Sequence, residues 1–261
     1  MFLGLVDCPL PGPVVRLGLG RYGWGNENKN RTFDMYGDTL YFYEEILLLA
    51  LKDEAGVTSV AYIEQSIAGA LLAELILAGR IALSEDKKKT VTVVKADPMG
   101  DAVIDSAFDM IKGDKKSRKL SDWVSRIAAI NDLFHTAAGQ LCARGILKAD
   151  QDKILLFFTR RIYPEINPIP ENKLIDRLRL AIFSDSREVD PRTMILISLT
   201  QGIDLLRLTF GAKDVKARKE RIEAIINGEM AGNAIREVIE ACTMAAVMTV
   251  MVAAIIPVVI T

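Results

Sequence analysis

The chain predicts an all-α fold, mostly helical with two short β-hairpins, organised as a single globular domain around a central apolar helix. Three observations carry that prediction. Glu44–Gly56 and Leu71–Ile81 read as two packed helices with marked ends. The order helix, glycine, strand, polar turn, strand occurs twice. The last stretch, Ala241–Thr261, contains no charged side chain.

Residues 1–39 are rich in Gly, Pro and Asn and lack periodicity, which predicts an extended or poorly ordered lead-in before a folded domain over 40–261. Gly18-Leu-Gly-Arg-Tyr-Gly23 has the glycine spacing of a dinucleotide site. The following Trp24-Gly-Asn-Glu-Asn does not open an apolar helix, so the context that spacing needs is missing. In the first helix, apolar residues from Ile46 to Leu51 cover nearly every side, which predicts burial on more than one face. Glu44 and Glu45 fall in its first turn, where carboxylates complement the helix dipole, and Gly56 is the expected left-handed cap. In the second helix, Ile67, Leu71, Leu72, Leu75 and Ile76 recur at helical spacing until Gly79 ends the run before a strand at Ile81.

The first hairpin is expected as Ile81, a turn at Ser84–Lys89, and a strand at Thr90–Val94, where β-branched residues dominate. The second is expected as Gly145–Leu147, a turn at Lys148–Lys153, and a strand at Ile154–Phe158. Helix plus hairpin is also the outline of a winged-helix DNA module. Lys87-Lys88-Lys89, however, sits beside Glu85 and Asp86, and no helix carries a continuous basic stripe, so a solvated turn is the favoured reading and nucleic acid is not the expected partner. A 21-residue helix at Ala241–Thr261 would be roughly 30 Å long, enough to cross a bilayer. Its small residues, Pro257 and missing interfacial aromatics favour a buried central helix over a tail anchor.

A formal net charge of −1 over 261 residues supplies no bulk attraction to nucleic acid or anionic lipid, so any such binding must be local. Cys8, Cys142 and Cys242 are widely spaced and odd in number, and no basic n-region precedes an apolar core, which together predict a reducing, cytoplasmic setting. His135 is the single histidine. Asp132, His135 and Cys142 make a poor zinc set, and neither a nucleophile elbow nor a phosphate loop is present, so no catalytic residue, cofactor or metal is predicted.

The second hairpin is the candidate functional element. Ile154, Leu155, Leu156, Phe157 and Phe158 form an unbroken apolar run, followed at once by Arg160 and Arg161. Two readings stand side by side: a strand buried on both faces, or a membrane-dipping hairpin whose apolar residues enter the acyl boundary while the arginines meet lipid phosphates.

Several motifs occur in order: Glu44-Glu-Ile-Leu-Leu-Leu-Ala-Leu-Lys-Asp53, Glu74-Leu-Ile-Leu-Ala-Gly-Arg-Ile81, Asp97-Pro-Met-Gly-Asp101 leading to Ile104-Asp105, Asp122-Trp123-Val124, Gly145-Ile-Leu147 and Asp190-Pro-Arg-Thr193. Over about Leu40 to the C-terminus this order resembles the Golgi phosphoprotein 3 family. The resemblance implies a mostly helical domain around a central apolar helix. For eukaryotic members it implies peripheral Golgi association, binding of phosphatidylinositol 4-phosphate, an apolar hairpin that enters the bilayer, and help in retaining glycosyltransferases. The hairpin carries over at Ile154–Phe158. The head-group residues do not: the family's pocket arginines fall at Ala68, Asn131 and Phe134, and its tryptophan falls in Val60-Ala61-Tyr62, where Tyr62 is the only aromatic. A phosphomonoester needs charge-assisted donors, and three are replaced here.

The expected function is therefore non-enzymatic peripheral binding to an anionic phospholipid surface, with Arg160, Arg161 and Tyr62 as head-group candidates. A protein partner of unknown identity and a homo-oligomer formed through the hairpin are further expectations. The rivals are a winged-helix-like nucleic-acid binder and a soluble interaction scaffold.

Overall fold

A computed structural model of the protein describes residues 39–52, 56–58, 60–85, 87–154, 158–231 and 233–255. The lead-in up to residue 38, including the Gly18–Gly23 pattern, lies outside the described residues. Helix α1 (Phe42–Ala50) is buried along its whole length, as its all-round apolar pattern predicts. Its end differs from the expectation. Leu51 leaves the helix in extended geometry and starts a two-residue strand, β1 (Leu51–Lys52), paired antiparallel with β2 (Val57–Thr58). Gly56 is left-handed, with φ of +58°, but it belongs to this small ribbon rather than to a helix cap.

Helix α2 (Ile63–Leu77) is the centre of the domain, with an unbroken buried run from Ser66 to Ile76. It ends as the sequence predicts: Gly79 is left-handed, its N–H donates to the Ile76 carbonyl, and the Arg80 N–H donates to the Leu75 carbonyl, the two bonds of a Schellman cap. The first hairpin follows, β3 (Ile81–Leu83) against β4 (Val91–Val93). Helices α3 (Ala102–Gly113), α4 (Leu120–Ala128) and α5 (Leu133–Ala143) come next, α3 being N-capped by Asp101, which accepts from the Val103 and Ile104 amides. Helix α5 ends like α2, with left-handed Gly145 donating to Cys142 and Ile146 donating to Leu141.

The second hairpin, β5 (Asp150–Ile154) against β6 (Phe158–Ile162), is registered differently from the expectation. The charged segment expected as a turn is strand, and Ile154 stands opposite Phe158, so the two ends of the expected strand fall on opposite arms. Gly145–Leu147, expected as a strand, contributes only the isolated bridge from Leu147 to Glu165. A ribbon whose arms are solvated needs no apolar face, so alternating charges such as Asp152 and Arg160 can pair across it.

Helix α6 (Ile169–Phe183) leads to α7 (Pro191–Gln201), which is buried from Thr193 to Thr200. Three short helices, α8 (Leu205–Phe210), α9 (Ala212–Ala217) and α10 (Lys219–Ile226), precede α11 (Asn233–Ile255). Helix α11 packs on α2, α4 and α7 through Ile239, Cys242, Ala245, Ala246 and Thr249. It is not the central helix: Val247 and Met251 are about half exposed, at 48% and 52%, and the enclosed position belongs to α2. Among the described residues, no helix is long and apolar enough to cross a membrane. At the α2–α11 crossing the backbones nearly touch. A Cβ on Gly69 would lie 2.2 Å from Thr249 Oγ1, whose hydroxyl donates to the Ala245 carbonyl.

Glu44 and Glu45 do more than face a dipole. Both are buried, with Glu44 held by Arg144 at 2.6 Å and Glu45 by Arg177 at 2.6 Å. Glu74 on α2 receives both terminal nitrogens of Arg192 at 2.8 and 2.9 Å, and Arg192 also stacks over the Phe42 ring. Each of these three glutamates is thus matched by a guanidinium from a distant segment.

Candidate membrane-binding site

The base of the second hairpin is pinned to the domain through backbone hydrogen bonds. The Tyr163 N–H donates to the Gly56 carbonyl at 2.8 Å, Lys148 donates to Pro164, and Ile166 donates back to Ile146. Gly56 is required there, because a Cβ would stand 2.3–2.5 Å from the Tyr163 and Pro164 backbone. Beyond this base the two arms reach outward, with Gln151, Asp152, Arg160 and Arg161 exposed. Ile154 and Phe158 close the register at the outer end. Leu155, Leu156 and Phe157 lie outside the described residues, between those two positions.

The two candidate arginines diverge in their local partners. Arg160 pairs across the ribbon with Asp152 at 3.2 Å, and Arg161 reaches Asp132 at 3.0 Å. All four side chains are roughly half exposed, so each pair contributes at most about 1 kcal/mol and yields readily to a competing anion.

Asp132 precedes α5 in left-handed geometry, φ +56°, and Tyr62 precedes α2 in the same geometry, φ +61°. Between these two helix starts lies an open cleft of about 430 Å³ lined by Glu64 and Gln65 from α2 and by residues 128 and 130–135. Asn131 and Phe134, at two of the positions where the family resemblance implies arginine, both line it. Ala68, at the third, is buried inside α2. The charged side chains in the lining are Glu64 and Asp132, both acidic, and no lysine or arginine belongs to it. The cleft does not fit a phosphomonoester. Tyr62 is partly buried at its position before α2, and no hydrogen bond links its hydroxyl to Arg160 or Arg161 among the described contacts.

Beside the cleft, Phe134, His135 and Tyr163 form an aromatic trio with centroids 5.2–5.9 Å apart, and His135 Nδ1 shares a hydrogen bond with the Tyr163 hydroxyl at 2.9 Å. Desolvation, reinforced by Arg161, pushes the His135 imidazole below its usual range and holds it neutral at pH 7. Its packing fixes where β6 meets α5. Cys142 lies on the same helix with a thiol raised by desolvation. Among the described residues no cluster of three His, Cys, Asp or Glu side chains is arranged to hold a metal ion.

Glu64 and Gln65 were not legible as cleft residues in the sequence. Their signal was local, in the first turn of α2 directly after Tyr62, but the opposing wall comes from a segment more than sixty residues away.

The family model described as Golgi phosphoprotein 3 (GPP34) matches residues 42–242, most of the chain. Among curated proteins, the chain is similar to vacuolar protein sorting-associated protein 74 of Eremothecium gossypii, at 26% identity over 140 residues, covering 46% of this chain and 42% of that protein. The chain therefore spans less than half the length of this relative.

Proposed function

The chain belongs to the Golgi phosphoprotein 3 family, and from that premise we propose that it is a non-enzymatic peripheral membrane protein that meets an anionic leaflet through the β5–β6 hairpin. The supporting observation is the register. With Ile154 opposite Phe158, the two ends of the apolar run fall on opposite arms of the ribbon, and Arg160 and Arg161 follow on its exposed arm. Apolar insertion and phosphate contact are the two contributions a peripheral protein combines, since either alone is weak.

The ligand is anionic phospholipid in general rather than phosphatidylinositol 4-phosphate, because the cleft has no cationic lining. Membrane contact in this form corresponds to a peripheral position on a cytoplasmic surface. Liposome co-sedimentation tests the reading. Wild type is expected to sediment with vesicles containing phosphatidylserine, with no added preference for phosphatidylinositol 4-phosphate at matched charge. Leu155→Asp with Phe157→Asp removes two insertions, each of roughly 1.5–3 kcal/mol when fully buried, and should lower affinity by more than tenfold. Wild type that ignores anionic vesicles, or a double variant that binds as wild type does, defeats the reading.

A further inference from the structure

The fold assembles a second cationic surface that the sequence scatters. The turn of the first hairpin carries Lys87, Lys88 and Lys89, and the α3–α4 connection carries Lys115, Lys116 and Lys119, nearly thirty residues on. Backbone contacts bind the two segments together. Thr90 bridges antiparallel to Lys119, the Val91 N–H donates to the Arg118 carbonyl at 2.9 Å, and the Leu120 N–H donates to the Lys89 carbonyl at 3.1 Å. Lys87, Lys115, Lys116 and Lys119 are all exposed. Arg118 and Arg126 both turn to Asp114, which neutralises the nearest carboxylate, and Asp114 is held below the usual carboxylate range by its hydrogen bond from Arg118. Counting Glu85, Asp86, Asp114 and Asp122, whose carboxylate accepts from the Lys119 N–H, against seven cations over residues 85–89 and 114–122 leaves a local excess of three positive charges in a chain whose net charge is −1.

Three features select the partner. Lys87 on the hairpin turn and Lys115, Lys116 and Lys119 on the interhelical loop are exposed and present point charges on long stems. Trp123, in the first turn of α4 beside Lys119, is buried at 2% exposure and offers no face for base stacking. Arg118 is engaged by Asp114, which leaves lysine rather than a bidentate fork to meet phosphate. An exposed cluster of this size without stacking or fork groups matches the diffuse, laterally mobile charge of an anionic bilayer.

The geometry points to the β3–β4 turn and the α3–α4 loop as a second, purely electrostatic contact with an anionic membrane surface. It rests on the membrane reading given above but not on the second hairpin. The hairpin base lies by the start of α5, whereas this patch hangs from the far end of α2, a helix about 22 Å long at 1.5 Å per residue. The two attachments then differ in kind: the hairpin joins apolar insertion to Arg160 and Arg161, whereas the patch is cationic alone and the more sensitive to salt.

Co-sedimentation with phosphatidylcholine vesicles containing phosphatidylserine, across a salt series, separates the two. A lysine close to an anionic leaflet contributes roughly fivefold in affinity. Lys115→Gln with Lys116→Gln and Lys119→Gln should therefore lose on the order of a hundredfold at low salt and flatten the salt dependence, while the corresponding triple arginine variant binds as wild type does. The Leu155→Asp and Phe157→Asp variant should instead lose the component that persists at high salt. If the glutamine variant keeps wild-type affinity and salt dependence while the hairpin variant fails, the patch proposal is overturned and the hairpin reading stands; the reverse pattern overturns the hairpin and keeps the patch. Retardation of duplex DNA that disappears in the glutamine variant, with vesicle binding intact, assigns the patch to nucleic acid and overturns the proposal.

Discussion

The two hairpins hang from the same kind of helix end yet differ in what secures them. Helices α2 and α5 both close with a left-handed glycine, Gly79 and Gly145, in the same pair of Schellman bonds. Each end is also tied by a buried ion pair, with the signs exchanged. In the first unit the helix supplies the carboxylate, Glu74, to Arg192; in the second it supplies the guanidinium, Arg144, to Glu44. Beyond the ends they diverge. The first ribbon is short and fastened along its turn to the start of α4, whereas the second has five-residue arms fastened only at its base. The lesson is that the domain fixes the helix terminus and leaves the ribbon to carry the chemistry, lysines on one and an apolar run on the other.

The strongest way to break the comparison is to remove a buried partner. Arg192→Ala leaves Glu74 uncompensated in the core and should cost about 3–5 kcal/mol, with Arg144→Ala at or below the lower end because that side chain is partly solvated; urea unfolding midpoints measure both. Gly56→Ala, which drives a Cβ into the Tyr163 and Pro164 backbone, should cost more than about 2 kcal/mol and loosen the second hairpin selectively. Amide exchange at residues 150–162, compared with residues 81–93, reads that selectivity. Gly79→Ala and Gly145→Ala meet open space and differ from wild type only by a left-handed alanine, so they should cost about 1–2 kcal/mol each and about the same as one another. Unequal values would mean that the two units are not built alike.

The smallest expected effect is a slope with pH. Burial lifts the Glu44 and Glu45 carboxyls above the ordinary range despite the guanidinium groups beside them. The native state then holds those protons more tightly than the unfolded chain does, so stability falls as pH rises from about 4.3 through the raised values and levels above them. Glu45→Gln should flatten part of this slope in unfolding measurements taken from acid to neutral pH. A slope left unchanged by the substitution would remove Glu45 from the account.

The helices and the ends of α2 and α5 were legible because their determinants are local, whereas α1 stops at Ala50, short of the expected Gly56 cap. Ile46–Leu51 could only be buried, and Gly79 and Gly145 stop their helices by a backbone conformation that glycine adopts without strain. The second hairpin was misread for an equally local reason, because charged residues 150–153 look like a turn when no partner strand is in view, although cross-strand pairing is what makes them an arm. The burial of Glu44 and Glu45 was hidden because their partners Arg144 and Arg177 lie 100 and 132 residues away. Of the candidate site, the apolar run and its two arginines were readable as composition. The acidic cleft and the six-lysine surface were not, since each is made by segments that only the packing of α2 against α4 and its neighbours brings together.

The near-contact of Gly69 with Thr249 has a bearing on how the chain is made. Helix α2 leaves the ribosome early, but the helix that seats on its glycine, Asn233–Ile255, follows much later in the chain. Until then an apolar groove along α2 stays open, and closing it demands contacts across some 180 positions of sequence, the kind of long-range step that slows folding. Synthesis should therefore pass through an intermediate with a greasy seam, the state in which a chaperone has most to shield.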